Sequence, residues 1–287
     1  MENGISDITD SDTDLKFCLE QFLHESDLTE TPLTALSSIN SPYIDIDEVQ
    51  NHLLKHSDYS PKIMHLNIRS IPSKFDKLKD IIANLKKSNI TLDFILVCET
   101  FLKDDTEHLF KIPGYNLITK NRQLLSKGGV AMYIKDQIHF KLLENLSIFH
   151  EGEFESIFIE TTLHNKRYVV GEVYRIPDTS EVLSVKRYEC LLNKLNATGA
   201  NVILGTDQNF DYLKIQTHGK TLDLLNAFLS YDLIPTITKP TRITHTSATL
   251  IDNIYVRQDS PNIRSCIMPC DISDHFPVLS FVESQSD

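Results

Sequence analysis

The sequence has 287 residues, 41% of them apolar, which suffices for one large domain or two small ones with a sizeable core. No run of 18 apolar residues exists and the first residues are polar and acidic, so neither a membrane span nor a secretory signal is expected. Five scattered cysteines without a zinc-binding pattern indicate reduced thiols in a nuclear or cytoplasmic protein, or one found in both places.

The net charge of −12 is unevenly distributed along the chain. Residues 1–60 carry 13 acidic and two basic side chains, whereas residues 61–287 are nearly neutral and contain local clusters of lysine and arginine. We predict that residues 1–60 form a largely disordered acidic segment, with a short helix near residues 15–23 as a candidate site for a protein partner. Residues 61–287 are predicted to form the folded domain, whose basic clusters leave phosphate binding open.

Alternating strands and helices follow residue 61. Strands are predicted at residues 62–67, 93–98, 114–118, 128–134, 156–159, 168–174, 201–205, 250–256 and 276–282. Helices are predicted at residues 71–87, 182–196 and 219–229. Strand–helix–strand units with polar residues at the strand ends are typical of an α/β sheet whose functional site lies along one edge.

Eight polar residues stand at or just beyond the ends of these strands: Asn67, Glu99, Tyr174, Asp207, Asn209, Asp252, Asp274 and His275. Each of them alone is better explained as a cap or turn former. Together they offer carboxylates for Mg²⁺, neutral donors for phosphoryl oxygens, and a histidine for transition-state stabilisation. The set therefore indicates metal-assisted chemistry on a phosphate ester.

A series of short motifs in a fixed order carries a family resemblance. These are LNIR at 66–69, CETF at 98–101, GGVAMY at 128–133, VYR at 173–175, LGTDQN at 204–209, PTRIT at 240–244, ATLID at 248–252 and ISDH at 272–275. The series resembles the endonuclease/exonuclease/phosphatase superfamily and, more narrowly, the apurinic-type endonuclease domain of non-LTR (LINE-like) retrotransposons. It covers about three quarters of the chain.

The resemblance implies a fold and a set of roles. The fold is a four-layer α/β sandwich, two mixed β-sheets packed face to face with helices outside, as in DNase I-like proteins. The implied roles are Glu99 at the metal with Asn67 nearby, Asp207 and Asn209 at the attacking water, Tyr174 at the phosphate, and His275 held by Asp252. Asp274 would be a further acid at the metal or phosphate.

The resemblance also implies an activity, a cofactor and partners. The activity is Mg²⁺-dependent nicking of DNA to leave a 3′-hydroxyl for target-primed reverse transcription, with Mn²⁺ as an alternative ion and a reverse transcriptase and element RNA as partners. Arg69 stands where repair-type apurinic endonucleases carry an acid, which argues against a dedicated repair enzyme. Arg69 and Arg175 are instead expected to contact DNA phosphates.

Two other functions stay open at this point. A transposon-derived DNA-binding or regulatory protein without turnover would keep the fold and lose the chemistry. A phosphatase acting on a small phosphate ester would use the same residues on another substrate. At 98–101 and 206–209 the chain departs from the usual family motifs (SETW and GDFN), but neither departure removes a reacting group.

Overall fold

The computed structural model describes residues 14–15, 39–53, 59–257 and 262–283, and these form two mixed β-sheets and one small hairpin. The first sheet has six strands in the spatial order β14 (Ile263–Ile267), β15 (Val278–Glu283), β1 (Tyr59–Asn67), β2 (Phe94–Cys98), β4 (Val130–Lys135) and β3 (Tyr115–Lys120). In this sheet β1 and β2 run parallel, and the other neighbours are antiparallel.

The second sheet has seven strands. Their spatial order is β10 (Ile234–Pro235), β13 (Asp252–Arg257), β9 (Asn201–Asp207), β8 (Lys166–Arg175), β7 (Phe154–Leu163) and β5 (Phe140–Leu142), with β6 (Phe149–His150) also pairing with β7. β8 and β9 are parallel, whereas β13 runs antiparallel to β9. The small hairpin joins β11 (Arg242–Ile243) and β12 (Ala248–Thr249).

Helices cover the outer faces of the two sheets. They are α1 (Val49–Leu53), α2 (Ile71–Lys87), α3 (Glu181–Ala197) and α4 (Gly219–Leu229), with short 3₁₀ turns at Glu107–Phe110 and Tyr212–Lys214. Since β2 lies between α2 and the second sheet, its side chains are buried on both faces, which explains its unbroken apolar sequence. The four-layer α/β sandwich that the resemblance predicted is confirmed.

The predicted helices agree closely with the observed ones. Their apolar periodicity sets the buried face, and in two of them a serine caps the first turn. In α2, Ile71, Leu78, Ile81 and Leu85 are buried against the first sheet, and the Ser70 hydroxyl accepts a hydrogen bond from Ser73 N. The Ser180 hydroxyl caps α3 in the same way. The predictions omitted β5, β6, β10, β11, β12 and β14, which are short or carry no clear alternation.

Part of the acidic N-terminal segment packs on the domain. Tyr43 forms a β-bridge with Ile267 of β14, and Leu15 is buried with its N–H donating to the Thr238 carbonyl oxygen. Most of the helix predicted near residues 15–23 lies outside the described residues. The domain boundary at residue 61, the disorder of residues 1–60 and the partner of this segment stay predictions.

None of the helices in the described ranges combines the length and the apolar character that crossing a bilayer requires.

Candidate active site

The two parallel strand pairs, one in each sheet, deliver the predicted residues to one edge of the sandwich. Asn67 at the end of β1 lies opposite Cys98 at the end of β2, and Glu99 follows directly. Across the sandwich, Tyr174 of β8 lies opposite Asp207 of β9. Asp207 in turn lies opposite Asp252, the first residue of β13. Parallel neighbours end at the same side of a sheet, so these side chains come together.

A buried asparagine links carboxylates from the two sheets. Asn67 Nδ2 donates one hydrogen bond to Glu99 Oε1 (2.8 Å) and another to Asp207 Oδ2 (2.8 Å). Tyr174 Oη donates to the same Glu99 oxygen at 3.0 Å. Burial and the nearby Glu99 charge raise the pKa of Tyr174, so this hydroxyl remains a donor at neutral pH. The structure therefore brings Asn67, Glu99, Tyr174 and Asp207 into one hydrogen-bonded group.

Two residues at this site, Glu99 of the group and the neighbouring Asn209, sit on backbone that ordinary side chains avoid. Glu99 has φ 50° and Asn209 has φ 49°, both in the left-handed region. Hydrogen bonds hold each conformation in place, from Ser70 N to the Glu99 carbonyl oxygen (2.8 Å) and from Asn209 N to Asp207 Oδ1 (3.2 Å). Such conformations persist only where the surroundings enforce them, and they concentrate at functional sites.

Beside this group, His275 and Asp252 form a dyad. His275 Nδ1 lies 2.9 Å from Asp252 Oδ2 and 3.1 Å from Oδ1, and the Thr241 hydroxyl donates to Oδ2 at 2.7 Å. Burial would lower the pKa of His275, but the Asp252 charge and hydrogen bond outweigh it and raise that pKa. Burial would likewise raise the pKa of Asp252, yet His275 holds it below the usual range. The pairing thus favours the charged forms of both side chains, and it engages Nδ1 of His275 and leaves Nε2 for a substrate.

Asp207 has the properties of a general base. Burial, reinforced by the charge of Asp252, raises its pKa to about 7, although His275 and Asn67 oppose the shift. A base whose pKa lies close to the working pH gives the best compromise between protonation state and basicity.

Asp274, predicted to lie at the metal or phosphate, contacts two arginines. Its Oδ1 accepts a hydrogen bond from Arg69 Nη1 (2.7 Å) and its Oδ2 accepts one from Arg242 Nε (2.8 Å). Burial would raise the pKa of Asp274, but these two bonds lower it to about 2. Because two guanidinium groups already neutralise this carboxylate, its geometry supports an anchor for Arg69 and Arg242 instead of the predicted metal ligand.

Arg175 also differs from its predicted role as a DNA-phosphate contact. The side chain is 3% exposed, and it donates to the carbonyl oxygens of Asn209 (3.1 Å) and Thr179 (2.7 Å) and to the Ser184 hydroxyl (3.2 Å). Asn209 Nδ2 donates back to the Arg175 carbonyl oxygen at 2.8 Å. Arg175 therefore fixes the turn that carries Asn209 and is closed off from a nucleic acid.

Arg175→Lys should lower stability because lysine keeps the charge but cannot replace the planar set of donors. We expect a loss of about 1–3 kcal/mol in the free energy of unfolding, since two carbonyl oxygens lose their donors. Denaturant unfolding would measure this loss, and filter binding to duplex DNA would be the comparison. Unchanged stability with weakened DNA binding would restore the phosphate-contact role.

Sequence reasoning missed four residues near the site. Thr241 holds Asp252, and Gln208 accepts hydrogen bonds from Thr206 Oγ1 (3.0 Å) and Tyr255 Oη (3.0 Å) beneath the Asp207–Asn209 turn. His65 and Glu172 are fully buried and lie 3.0 Å apart. One signal was available for this pair: His65 precedes Asn67, and Glu172 precedes Tyr174, by two positions, so each shares a strand face with a site residue.

The donor atoms at this edge fit a divalent cation. Glu99 and Asp207 supply carboxylate oxygens, which Mg²⁺ prefers, and the amide of Asn67 already holds the two carboxylates together. Asp207, Asp252 and His275 also place one ligand atom each within 4.8 Å of one another, as do His65, Cys98 and Glu172. In the second cluster the direct His65–Glu172 hydrogen bond accounts for the proximity.

Known structures share this architecture. The structure has the fold of the endonuclease/exonuclease/phosphatase superfamily, whose members include a Bacteroides thetaiotaomicron protein described by that name (16% identity, TM-score 0.53, covering 77% of this chain and 96% of that one). The endonuclease domain of TRAS1, a telomere-specific non-LTR retrotransposon, is similar (13% identity, TM-score 0.56), and the match covers 78% of this chain and 99% of that one. The AP endonuclease LMAP from Leishmania major is also similar (12% identity, TM-score 0.62), with 90% of this chain and 99% of that one covered. The sequence matches no family model and no curated relative.

Proposed function

We propose that this protein is a metal-dependent phosphodiesterase that nicks one strand of DNA and leaves a 3′-hydroxyl. The observation that carries the proposal is the linkage of Glu99 and Asp207 through Asn67, beside the His275–Asp252 dyad. The likeness to the TRAS1 endonuclease domain supports a retrotransposon nickase, in which the 3′-hydroxyl would prime reverse transcription. A reverse transcriptase and element RNA would then be the partners in that process.

The attacking step falls to Asp207 and Asn209. Asp207 takes a proton from a water molecule whose oxygen forms a bond to phosphorus, while the bond from phosphorus to the 3′ oxygen breaks. A pKa of about 7 suits Asp207 to accept that proton near neutral pH. Asn209 Nδ2 uses one of its two N–H groups on the Arg175 carbonyl oxygen, so its second N–H and its amide oxygen remain to orient the water.

His275 and Tyr174 act on the charge that develops. The protonated imidazole of His275, fixed through Nδ1 by Asp252, turns Nε2–H toward a phosphoryl oxygen. Tyr174, which keeps its proton, donates to the phosphate or to the leaving 3′ oxygen. The leaving 3′ oxygen takes a proton from solvent water and Asp207 returns the proton it accepted to solvent, so the products are a 5′-phosphate and a 3′-hydroxyl.

The metal would be held by Glu99, with Asn67 alongside. When bound, Mg²⁺ or Mn²⁺ neutralises negative charge on the phosphoryl group. At the rim, Arg69 is 47% exposed and Arg242 is 35% exposed, and both are anchored by Asp274. They would contact flanking DNA phosphates.

Metal removal tests the proposal. Supercoiled plasmid incubated with the protein and Mg²⁺ should convert to the nicked form, and EDTA should stop the conversion because Glu99 loses its cation. Readdition of Mg²⁺ or Mn²⁺ should restore it. A DNA polymerase should extend the nicked product directly, which identifies a free 3′-hydroxyl.

The other two functions predict different results. DNA binding without nicking across several divalent metals would favour the catalytically silent DNA-binding protein. Hydrolysis of small phosphate monoesters with intact plasmid would favour the phosphatase. Nicking unaffected by EDTA would contradict metal dependence.

A further inference from the structure

A second layer of ionisable side chains lies directly beneath the site, inside the sandwich. His65 Nδ1 lies 3.0 Å from Glu172 Oε2, and both residues are fully buried. His65 Nε2 lies 3.5 Å from Asp252 Oδ1, the carboxylate that holds His275. The four residues therefore form one continuous series, Glu172–His65–Asp252–His275, that runs from the core to the dyad.

The backbone places this layer in register with the site. His65 and Asn67 on β1, Glu172 and Tyr174 on β8, and Gly205 and Asp207 on β9 are each two positions apart, so each pair shares one strand face. Glu172 lies opposite Gly205 across the β8–β9 pair.

Because Gly205 has no side chain, it leaves the space that His65 and Glu172 occupy. A Cβ atom at this position would lie 2.5 Å from Glu172 Oε2, closer than real contacts allow, and 3.1 Å from His65 Nδ1, which is a tight contact. The φ angle of Gly205 is not in the left-handed region, so close approach, and not backbone freedom, is what requires a glycine here.

Stability alone does not explain a charged pair at this depth. A buried ion pair loses its hydration, and apolar side chains of similar volume usually stabilise a core as well or better. Moreover, Glu172 Oε1 and His65 Nε2 make no hydrogen bond within the described residues, which adds to the desolvation cost. Two carboxylates face the two ring nitrogens of His65, Glu172 at 3.0 Å and Asp252 at 3.5 Å.

We infer that His65, oriented by Glu172, is a positioning residue that fixes the Asp252 carboxylate and, through it, the ring of His275. Asp252 is then held by two hydrogen bonds, with His275 and with the Thr241 hydroxyl, and His65 Nε2 faces it from a third side at an ion-pair distance of 3.5 Å. The expected effect on kcat rests on the proposed function. The expected effect on the orientation of the His275 ring does not depend on it.

The test replaces both members of the pair by apolar residues, as His65→Leu/Glu172→Met. Removing both partners avoids leaving one charge unpaired, so the variant should fold with a Tm close to that of the wild type. With the His275 ring less well fixed, kcat for plasmid nicking should fall about 10–100-fold with little change in KM. Glu172→Gln retains an acceptor for His65 Nδ1 and should keep activity close to that of the wild type.

A matched control removes other buried polar groups of the same sandwich. Ser265 and Ser280 hydroxyls lie 2.9 Å apart and do not touch the dyad, so Ser265→Ala/Ser280→Ala should leave kcat unchanged. A comparable fall in kcat in this control would overturn the inference, because general loosening of the core would then explain the result.

A readout independent of activity separates this inference from the proposed function. In ¹⁵N-histidine NMR spectra, the Nδ1–H resonance of His275 should be resolved in the wild type and in Glu172→Gln, and should shift or be lost to solvent exchange in the His65→Leu/Glu172→Met variant. If the wild type does not nick DNA but this pattern appears, the proposed function fails and the positioning role stands. An unchanged His275 resonance in the double variant would overturn the positioning role, whatever the activity.

Discussion

Asp207→Asn should abolish nicking and, at the same time, stabilise the protein. Asparagine has nearly the same shape but cannot accept the proton of the attacking water, so we expect a fall in kcat of about 10²–10⁴-fold. Stability should rise because Asp207 is a fully buried carboxylate close to Asp252 and Glu99, and its raised pKa shows that the charged form is disfavoured in the folded state. We expect a gain of about 1–2 kcal/mol.

The size of the stability gain from Asp207→Asn depends on pH. Unfolded Asp207 has an ordinary pKa, whereas the folded pKa is about 7, so the penalty of its charge grows between those two values and is complete above pH 7. Denaturant unfolding should therefore show the largest gain for Asp207→Asn at pH 8 and a smaller gain at pH 5. Full nicking by Asp207→Asn would remove Asp207 as the base, and lower stability at pH 8 would contradict the electrostatic account.

His275→Ala should reduce kcat by a factor similar to that of Asp207→Asn, for a different reason. The phosphoryl oxygens lose a charged donor in a buried site, where a single preorganised donor is worth roughly 10²–10³-fold in rate. Binding of duplex DNA should change little, because Arg69 and Arg242, the rim cations proposed to contact DNA phosphates, are left intact. Single-turnover nicking and filter binding, measured on the same preparation, would separate the two effects.

His139→Ala is the matched control for this variant. His139 is exposed, and its carbonyl oxygen, which accepts from the Thr161 hydroxyl, is kept on substitution. Its nicking rate should equal that of the wild type. If His275→Ala were as active as His139→Ala, the dyad would have no part in the reaction.

The sequence was most informative where periodicity and strand ends coincide. The helical spacing of the apolar residues in α2 placed its ends correctly, because the apolar face ends where the caps Ser70 and Ser88 stand. Asn67 and Asp207 are far apart in the sequence, but each is the last residue of a strand that has a parallel partner. Their positions at strand ends therefore predicted that they would be neighbours in space.

Predictions for the charged residues next to Tyr174 and His275 were less reliable. Arg175 follows Tyr174, and successive strand residues point to opposite faces, so Tyr174 in the site places Arg175 toward α3. Asp252 reaches the His275 imidazole, as the resemblance implied, whereas Asp274, expected at the metal or phosphate, turns to Arg69 and Arg242. Which groups surround an acid such as Asp274 depends on tertiary packing, which spacing alone does not show.

The position of β15 has a consequence for how the protein is made. β15 does not lie at an edge of its sheet: it inserts between β14 and β1, where His65 pairs with Val278. During synthesis, β1 leaves the ribosome long before this partner exists, by roughly ten seconds or more at ordinary elongation rates. One side of β1 waits unpaired for that time, and His275, which precedes β15 directly, reaches Asp252 only as the sheet closes. A nascent chain therefore carries Asn67, Glu99 and Asp207 without a working dyad until translation has passed β15.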